Sequence, residues 1–311
     1  MCRRSEDVPA LVPECAQRFR ADGASNPTVY ACTVPELPEV ETIRRALAPG
    51  VEGRTIVRAA INDPRLTRPE APGKVADLIV GERIAALERR GKYLDVVFGS
   101  GRHLLVHLRM TGNFRHGPQG AFPPDPYTRA VVNLDDASDV VYRDVRRFGT
   151  WTVLERLDAA KYLEARLGPE PLDGAFTGGW LAHSMTRRRA PAKTLLLDQR
   201  VAAGVGNIYA DEALWGARIH PLRSGVSLTR AEAVALARAT RSVLRKGVAR
   251  QGATLRDYRA PDGAPGSMQD AFSVYGREGE PCPRCGTAVL RIVVAGRGTH
   301  FCPVCQPRDP R

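Results

Sequence analysis

Val34-Pro35-Glu36-Leu37-Pro38-Glu39-Val40-Glu41-Thr42 is the stretch on which the fold turns. Pro38 suits the first position of a helix, where a missing N–H is no loss, and Glu39 and Glu41 suit the positive end of the helix dipole. The pattern predicts a helix over 39–48, stopped by Pro49-Gly50. The start of that helix adjoins Pro35. Inside a chain, the Pro35 nitrogen carries neither a proton nor an available lone pair.

Upstream of this stretch, Arg3, Arg4, Arg18 and Arg20 balance Glu6, Asp7, Glu14 and Asp22. No apolar run of signal-peptide length follows them, so residues 1–34 read as neither an export signal nor a folded domain. The chain's net charge of +12 therefore lies wholly downstream, and its 311 residues suffice for two domains with separate cores. A pI near 9.8 points to a polyanionic partner. Nucleic acid fits better than a membrane, because no basic amphipathic anchor and no spanning segment is evident.

From about residue 54 to 156, short β-rich runs succeed one another at 54–61, 82–89, 93–98, 103–108, 130–134, 140–143 and 150–155. Turn signals such as Gly99-Ser100-Gly101 split them, which predicts an antiparallel sandwich or barrel. After a linker at about 157–175 the pattern becomes helical, with helices expected at 195–200, 208–216 and 231–250. Thr229 and Glu232 stand at capping-box spacing before the last of these.

Cys282-Pro283-Arg284-Cys285 and Cys302-Pro303-Val304-Cys305 form two C-x-x-C knuckles separated by sixteen residues. Four thiolates at this spacing can surround one structural zinc, with 288–294 and 299–302 as a hairpin over it. Redox disulfides or a rubredoxin-like iron are the competing readings. The other three cysteines, Cys2, Cys15 and Cys32, all precede Pro35. Gly204-Val205-Gly206-Asn207-Ile208-Tyr209 lacks the third glycine of a dinucleotide fingerprint and joins two helical stretches. Asn207 reads as an N-cap, and the glycines before it let a helix N-terminus approach a phosphate.

Together these motifs, from Pro35 to Cys305, resemble the formamidopyrimidine-DNA glycosylases. The resemblance implies an α+β multidomain protein: an N-terminal antiparallel β-sandwich with a flanking helix over 35–160, then a helix-two-turns-helix domain over 161–275, then a C-terminal zinc ribbon and tail over 276–311. It implies a bifunctional glycosylase and AP lyase acting on oxidised purines in duplex DNA, expected to work as a monomer in the cytoplasm on the nucleoid. In the family the initiator Met is removed and the following Pro becomes an amino-terminal nucleophile. Val34 occupies the initiator place, as a GTG start codon would explain, so residues 1–34 are expected to be a misassigned start. The alternative is a real tail removed by a protease.

Carried over residue by residue, the resemblance makes Pro35 the nucleophile and Glu36 the acid/base residue. Lys92, in Arg90-Gly91-Lys92-Tyr93-Leu94, becomes a proton carrier for β-elimination, and Arg297, at the tip of the zinc hairpin, an aid to the last step. Without that match Lys92 reads as a solvated lysine at a strand end, and Glu39 and Glu41 as helix-start residues. Met110, Arg146 and Phe148 match the trio that fills the hole left by a flipped nucleotide; core packing is the competing reading for Met110 and Phe148. Asn207 and Arg188 are expected at phosphates, and Arg256 within a loop over 252–275 that covers the flipped purine. Val145 stands where the family usually has Pro, Arg188 where Lys is frequent, and Tyr127 where a DNA-contacting His is common. Tyr for His loses titration near neutrality. Two other functions compete: an endonuclease VIII-like enzyme for oxidised pyrimidines, and a non-catalytic binder of damaged DNA that retains residues 1–34.

Overall fold

A computed structural model describes residues 34–255, 258–261 and 263–308. Residues 1–33 and Arg256 lie outside them. The first helix, α1 (Leu37–Val51), begins two residues earlier than the charge pattern suggests and passes through both expected stop residues. Pro49 lies in the last turn, where its missing N–H forfeits a single hydrogen bond. Gly50 is there for packing, because a Cβ would sit 2.3 Å from the His116 ring. The helix closes instead where Glu52 N–H donates to the Ala48 carbonyl at 3.0 Å, and Gly53 follows with a φ of +82°.

Two antiparallel four-stranded sheets make the expected sandwich. One orders β1 (Ile56–Ile61), β6 (Thr128–Leu134), β7 (Ser138–Asp144) and β5 (Gly112–Pro118); the other orders β2 (Ile84–Arg90), β3 (Tyr93–Phe98), β4 (His103–His107) and β8 (Thr150–Leu154). Strand β5 is absent from the sequence reading, since Gly-Asn-Phe-Arg-His-Gly-Pro has no β-branched residue and two glycines. Its place is set by the ladder to β7, from Gly112 opposite Asp144 to Pro118 opposite Ser138. The short helix α2 (Pro72–Ile79) was likewise not anticipated.

The segment read as a linker contains α3 (Arg156–Glu164), which buries only Ala159 and so presents no apolar stripe for periodicity to reveal. Then come α4 (Gly178–Met185), α5 (Ala192–Leu197), α6 (Asn207–Gly216) and α7 (Arg230–Ala249). The Thr229–Glu232 capping box forms as expected, each residue's side chain meeting the other's backbone N–H at 3.2 and 2.8 Å. The zinc hairpin is β9 (Leu290–Val294) and β10 (Arg297–Phe301).

Helix α1 serves both halves of this body. Val40, Ile43 and Leu47 enter the core between the sheets, whereas Leu37 enters the helical core beside Val205, Ile208 and Tyr209. Each such side chain contributes about 1.5–3 kcal/mol by burial, so the helix start is anchored to both. A buried charge clasp adds a second tie. Arg89 bridges Glu41 at 3.1 Å and Glu170 at 2.9 Å, and the Glu170 carboxylate also accepts from the Gly91 N–H. The β2–β3 turn that carries Lys92 is thereby held against the segment entering the helical half.

Candidate active site

The site grows from how closely α1 and α6 approach. Leu37 N–H donates to the Gly204 carbonyl at 3.0 Å, and Gly204 itself has a φ of +86°. At Gly206 a Cβ would lie 2.3 Å from the Glu36 carboxyl carbon, so only glycine fits. The Glu36 carboxylate then accepts from Gly206 N–H at 2.6 Å, Ile208 N–H at 2.8 Å and Tyr209 N–H at 3.4 Å. It sits on the positive end of α6, where unsatisfied N–H groups await an anion. Glu39 is more than a helix-start residue: its carboxylate accepts from Glu36 N–H, Tyr209 hydroxyl and Ala253 N–H at 2.9, 2.8 and 2.8 Å. Glu41 instead takes part in the clasp with Arg44, Arg45 and Arg89.

A pocket of about 420 Å³ opens at this junction. Val34 and Glu36 line it, with Pro35 buried between them, and Lys92, Asn207 and Arg297 line it too. Four of the expected site residues are thus gathered in one cavity, and Pro35 adjoins it. Burial pushes the Glu36 carboxyl up to about 7, with Lys92 pulling it down and Glu39 pushing it further up. Burial also lowers the Lys92 ammonium from the ordinary lysine range, against the pull of Glu36 and Glu39. Lys92 is half-buried and lines the pocket, more enclosed than the solvated strand-end lysine of the competing reading. Two titratable groups with shifted pKa values that line one cleft mark it as a candidate site for proton transfer.

Three residues that shape the site escaped the sequence reading. His107 lies opposite Tyr93 in the β3–β4 ladder, accepts from Arg109 N–H at 3.0 Å, and is held neutral, its pKa driven down to about 3 by burial and then by Arg109 and Lys92. Arg109 has a φ of +53° in the turn after β4. Lys193, in α5, is wholly buried and does not line the pocket but fixes its rim: it pairs with Asp211 at 2.7 Å and donates to the Gly298 carbonyl and Thr299 hydroxyl. A lysine within Ala-Lys-Thr-Leu-Leu-Leu was the available signal, because an unpaired charge does not survive in such an apolar setting. The Asn207 side chain donates to the same Gly298 carbonyl at 3.0 Å, so the expected N-cap role is corrected: Gly206 occupies that position and Asn207 is the first helical residue. These contacts hold the Ala295-Gly296 turn, with Arg297 beside it, over the pocket.

The remaining residues lie elsewhere. Phe148 is 49% and Tyr127 39% exposed, so core packing does not account for Phe148. The Arg146 guanidinium lies 5.0 Å over the Phe148 ring, and that of Arg143 lies 4.9 Å over Tyr127. Met110 is partly buried. Arg188 pairs with Asp198 at 3.1 Å.

Beyond α6, the ligand atoms of Cys282, Cys285, Cys302 and Cys305 lie within 4.8 Å of one another. Neighbouring pairs stand 3.9 and 3.4 Å apart, near the roughly 3.8 Å that a tetrahedron of 2.3 Å Zn–S bonds demands. The donor set and spacing fit one structural zinc. Trp215, in the last turn of α6, donates its indole N–H to Cys282 Sγ at 3.5 Å, which joins the ribbon to the helix that holds Glu36. Replacing Cys302 by Ala is expected to lower zinc from one per chain to near none and DNA affinity by about tenfold or more, the scale of losing several phosphate contacts. The β-sandwich should keep its circular dichroism, its core being separate. Metal analysis and binding titration check both.

A pocket walled by a β-sandwich, a helix-two-turns-helix and a zinc hairpin defines a class, the DNA glycosylases built on that helical motif. Comparison with known proteins narrows it. Residues 34–151 match the formamidopyrimidine-DNA glycosylase N-terminal domain, 167–259 its H2TH domain, and 279–308 the zinc finger found in FPG and IleRS. The chain is 49% identical over 280 residues to the formamidopyrimidine-DNA glycosylase of Thermus thermophilus, covering 89% of this chain and 100% of that protein. For that of Chloroflexus aggregans the identity is 47% over 274 residues, with 88% and 98% covered. The crystal structure of the MutM (Fpg) protein from Thermus thermophilus superposes with a TM-score of 0.79 at 48% identity, covering 89% and 100%. That of the Lactococcus lactis Fpg in complex with abasic-site DNA gives 0.82 at 35%, covering 88% and 99%. This chain belongs to the formamidopyrimidine-DNA glycosylase family.

Proposed function

We propose that this chain is a bifunctional DNA glycosylase and AP lyase that excises 8-oxoguanine opposite cytosine and formamidopyrimidines, and cuts the strand by β,δ-elimination in base-excision repair. The observation that carries the reading is the Glu36 carboxyl, next in sequence to Pro35, clamped by α6 and lining one pocket with Lys92. With the Val34–Pro35 bond absent, the Pro35 nitrogen is a secondary amine. It bonds to C1′ of the extruded nucleotide while the base leaves with the glycosidic electron pair and a proton from Glu36; the C1′–O4′ bond then breaks, the nitrogen giving up its own proton, which Glu36 passes to O4′. The resulting iminium has no N–H proton to lose. Its electron sink therefore persists through elimination at both phosphates.

Lys92, whose neutral form burial favours, carries protons in β-elimination. Arg297 reaches a phosphate and assists the second elimination. Asn207 and Arg188 bind the backbone, and Arg256 contacts the covered base. Met110, Arg146 and Phe148 fill the vacated stack, with Arg146 reading the opposite base and Tyr127 alongside the duplex. The zinc held by Cys282, Cys285, Cys302 and Cys305 is structural. The enzyme acts as a monomer on nucleoid DNA in the cytoplasm; among the described residues no helix is long and apolar enough to cross a membrane.

Excision from duplexes carrying 8-oxoguanine opposite cytosine or thymine glycol tests the reading. The oxidised purine is expected to be released at least about tenfold faster, a difference of about 1.4 kcal/mol, leaving phosphate on both ends of the gap. Faster release of thymine glycol would assign the endonuclease VIII-like activity instead.

A further inference from the structure

Asp144, the last residue of β7, is 1% exposed, and among the described residues no lysine or arginine forms an ion pair with its carboxylate. A buried carboxylate without a counter-ion is costly unless several donors replace its water. Here every donor comes from a turn that bears one of the DNA-facing candidates. The Thr111 hydroxyl, next to Met110, donates to Oδ1, as does Arg146 N–H at 3.2 Å; Gly149 N–H, next to Phe148, donates to Oδ2 at 2.8 Å. Arg146 N–H is shared with the Thr111 hydroxyl oxygen at 2.9 Å, so the two turns also bond directly. The Asp144 backbone N–H donates to the Tyr127 carbonyl at 3.0 Å.

The turn over 145–149 is fixed from its other side as well. Arg147 has a φ of +61°, and its guanidinium grips Asp63 at 2.6 and 2.8 Å. That conformation is unfavourable for a residue with a Cβ and persists where surrounding contacts hold it. With Arg147 turned to Asp63, Arg146 and Phe148 stack on each other. A side chain that discriminates one base from another by paired hydrogen bonds needs a backbone held to within about 0.5 Å.

We propose that Asp144 and Thr111 are positioning residues for opposite-base recognition: they lock the Met110 turn to the Arg146–Phe148 turn, so wedge and reader move as one unit. The proposal rests on Arg146 being the reader.

The test is equilibrium binding of the full chain to duplexes carrying a tetrahydrofuran abasic analogue opposite cytosine or adenine, followed by fluorescence anisotropy. Binding needs no free proline amine, and every variant is compared in the same full chain. The native chain should prefer cytosine by about fivefold or more, and Arg146→Ala should bring the ratio close to one. Thr111→Val removes the shared hydroxyl without changing shape. It should lower the ratio at least about threefold toward one, while affinity for undamaged duplex, set by phosphate contacts, changes less than about twofold. Thr111→Ser should restore the preference, and Thr111→Val added to Arg146→Ala should change the ratio no further. Asp144→Asn should act like Thr111→Val; if it fails to fold, the Thr111 pair decides. A reduced ratio in Arg146→Ala with an unaltered one in Thr111→Val overturns the lock alone. An unaltered ratio in Arg146→Ala removes the reader, and the lock with it. Equal weakening on both duplexes by Thr111→Val would show a merely structural role.

Discussion

Protein beginning at Pro35 is expected to form a borohydride-trapped adduct with 8-oxoguanine DNA, and chain that retains Val34 at least about a thousandfold less, the scale on which losing a nucleophile acts. An acylated proline nitrogen has its lone pair delocalised into the carbonyl and cannot form an iminium. Freed, it is an α-amino group with an ordinary pKa of about 7.7–8, and so is partly neutral at physiological pH. The positive N-terminus of α1 disfavours its protonated form. Pro35→Gly in the shortened protein keeps an amine but not a secondary one, and trapping should fall sharply. Equal trapping by the two lengths, or undiminished trapping by the glycine variant, would transfer the nucleophile to a lysine, with Lys92 the candidate that lines the pocket. N-terminal sequencing of the active species from its host should give Pro35. Of the relatives compared, the matched region spans 98–100% of their length but 88–89% of this chain, and it is the β-sandwich, helices and ribbon that they share.

Those parts were legible in the sequence because each announces itself locally. A thiolate pair at C-x-x-C spacing, a capping box, and apolar runs of period two separated by glycine turns need no tertiary information. What stayed hidden depends on partners far along the chain. Strand β5 exists because β7 pairs with it, not because its residues favour extended structure. Asn207 looked like a cap, yet close approach of Glu36 demands glycine at 206 and moves the cap one residue upstream. Lys193 and Asp211 lie eighteen residues apart and face each other only after α5 and α6 have packed. Glu39 showed its helical role in sequence, but not its bonds to Tyr209 and Ala253, more than 150 residues away. The catalytic assignments came from resemblance; what the structure adds is one pocket that unites Glu36, Lys92, Asn207 and Arg297.

Glu36→Gln is expected to cost about 10²–10⁴ in the rate of base release, the usual yield of a positioned proton donor, and to erase one limb of the pH profile. The sign follows from burial, which lifts the Glu36 carboxyl from 4.5 to about 7. Below about 7 it holds a proton to give; above, it does not, so base release in the native enzyme should fall as pH rises through that value. The proline amine acts oppositely, gaining its neutral form as pH rises, and the two limbs enclose a narrow optimum. Gln cannot titrate, which leaves only the rising limb. A preformed abasic site has no base to protonate, so its cleavage should suffer less than excision does. Stability carries the same signature. A carboxyl whose folded pKa exceeds its unfolded one favours the fold when protonated: the contribution is fully present below about 4.5 and lost as pH climbs through about 7, in all of order 3 kcal/mol for a shift of that size. The native protein should therefore lose stability over that interval relative to Glu36→Gln. Single-turnover excision and urea unfolding, each measured from pH 5 to 9, check the two halves independently. A falling limb that survives in Glu36→Gln would assign it to another group, Lys92 being the one that shares the pocket.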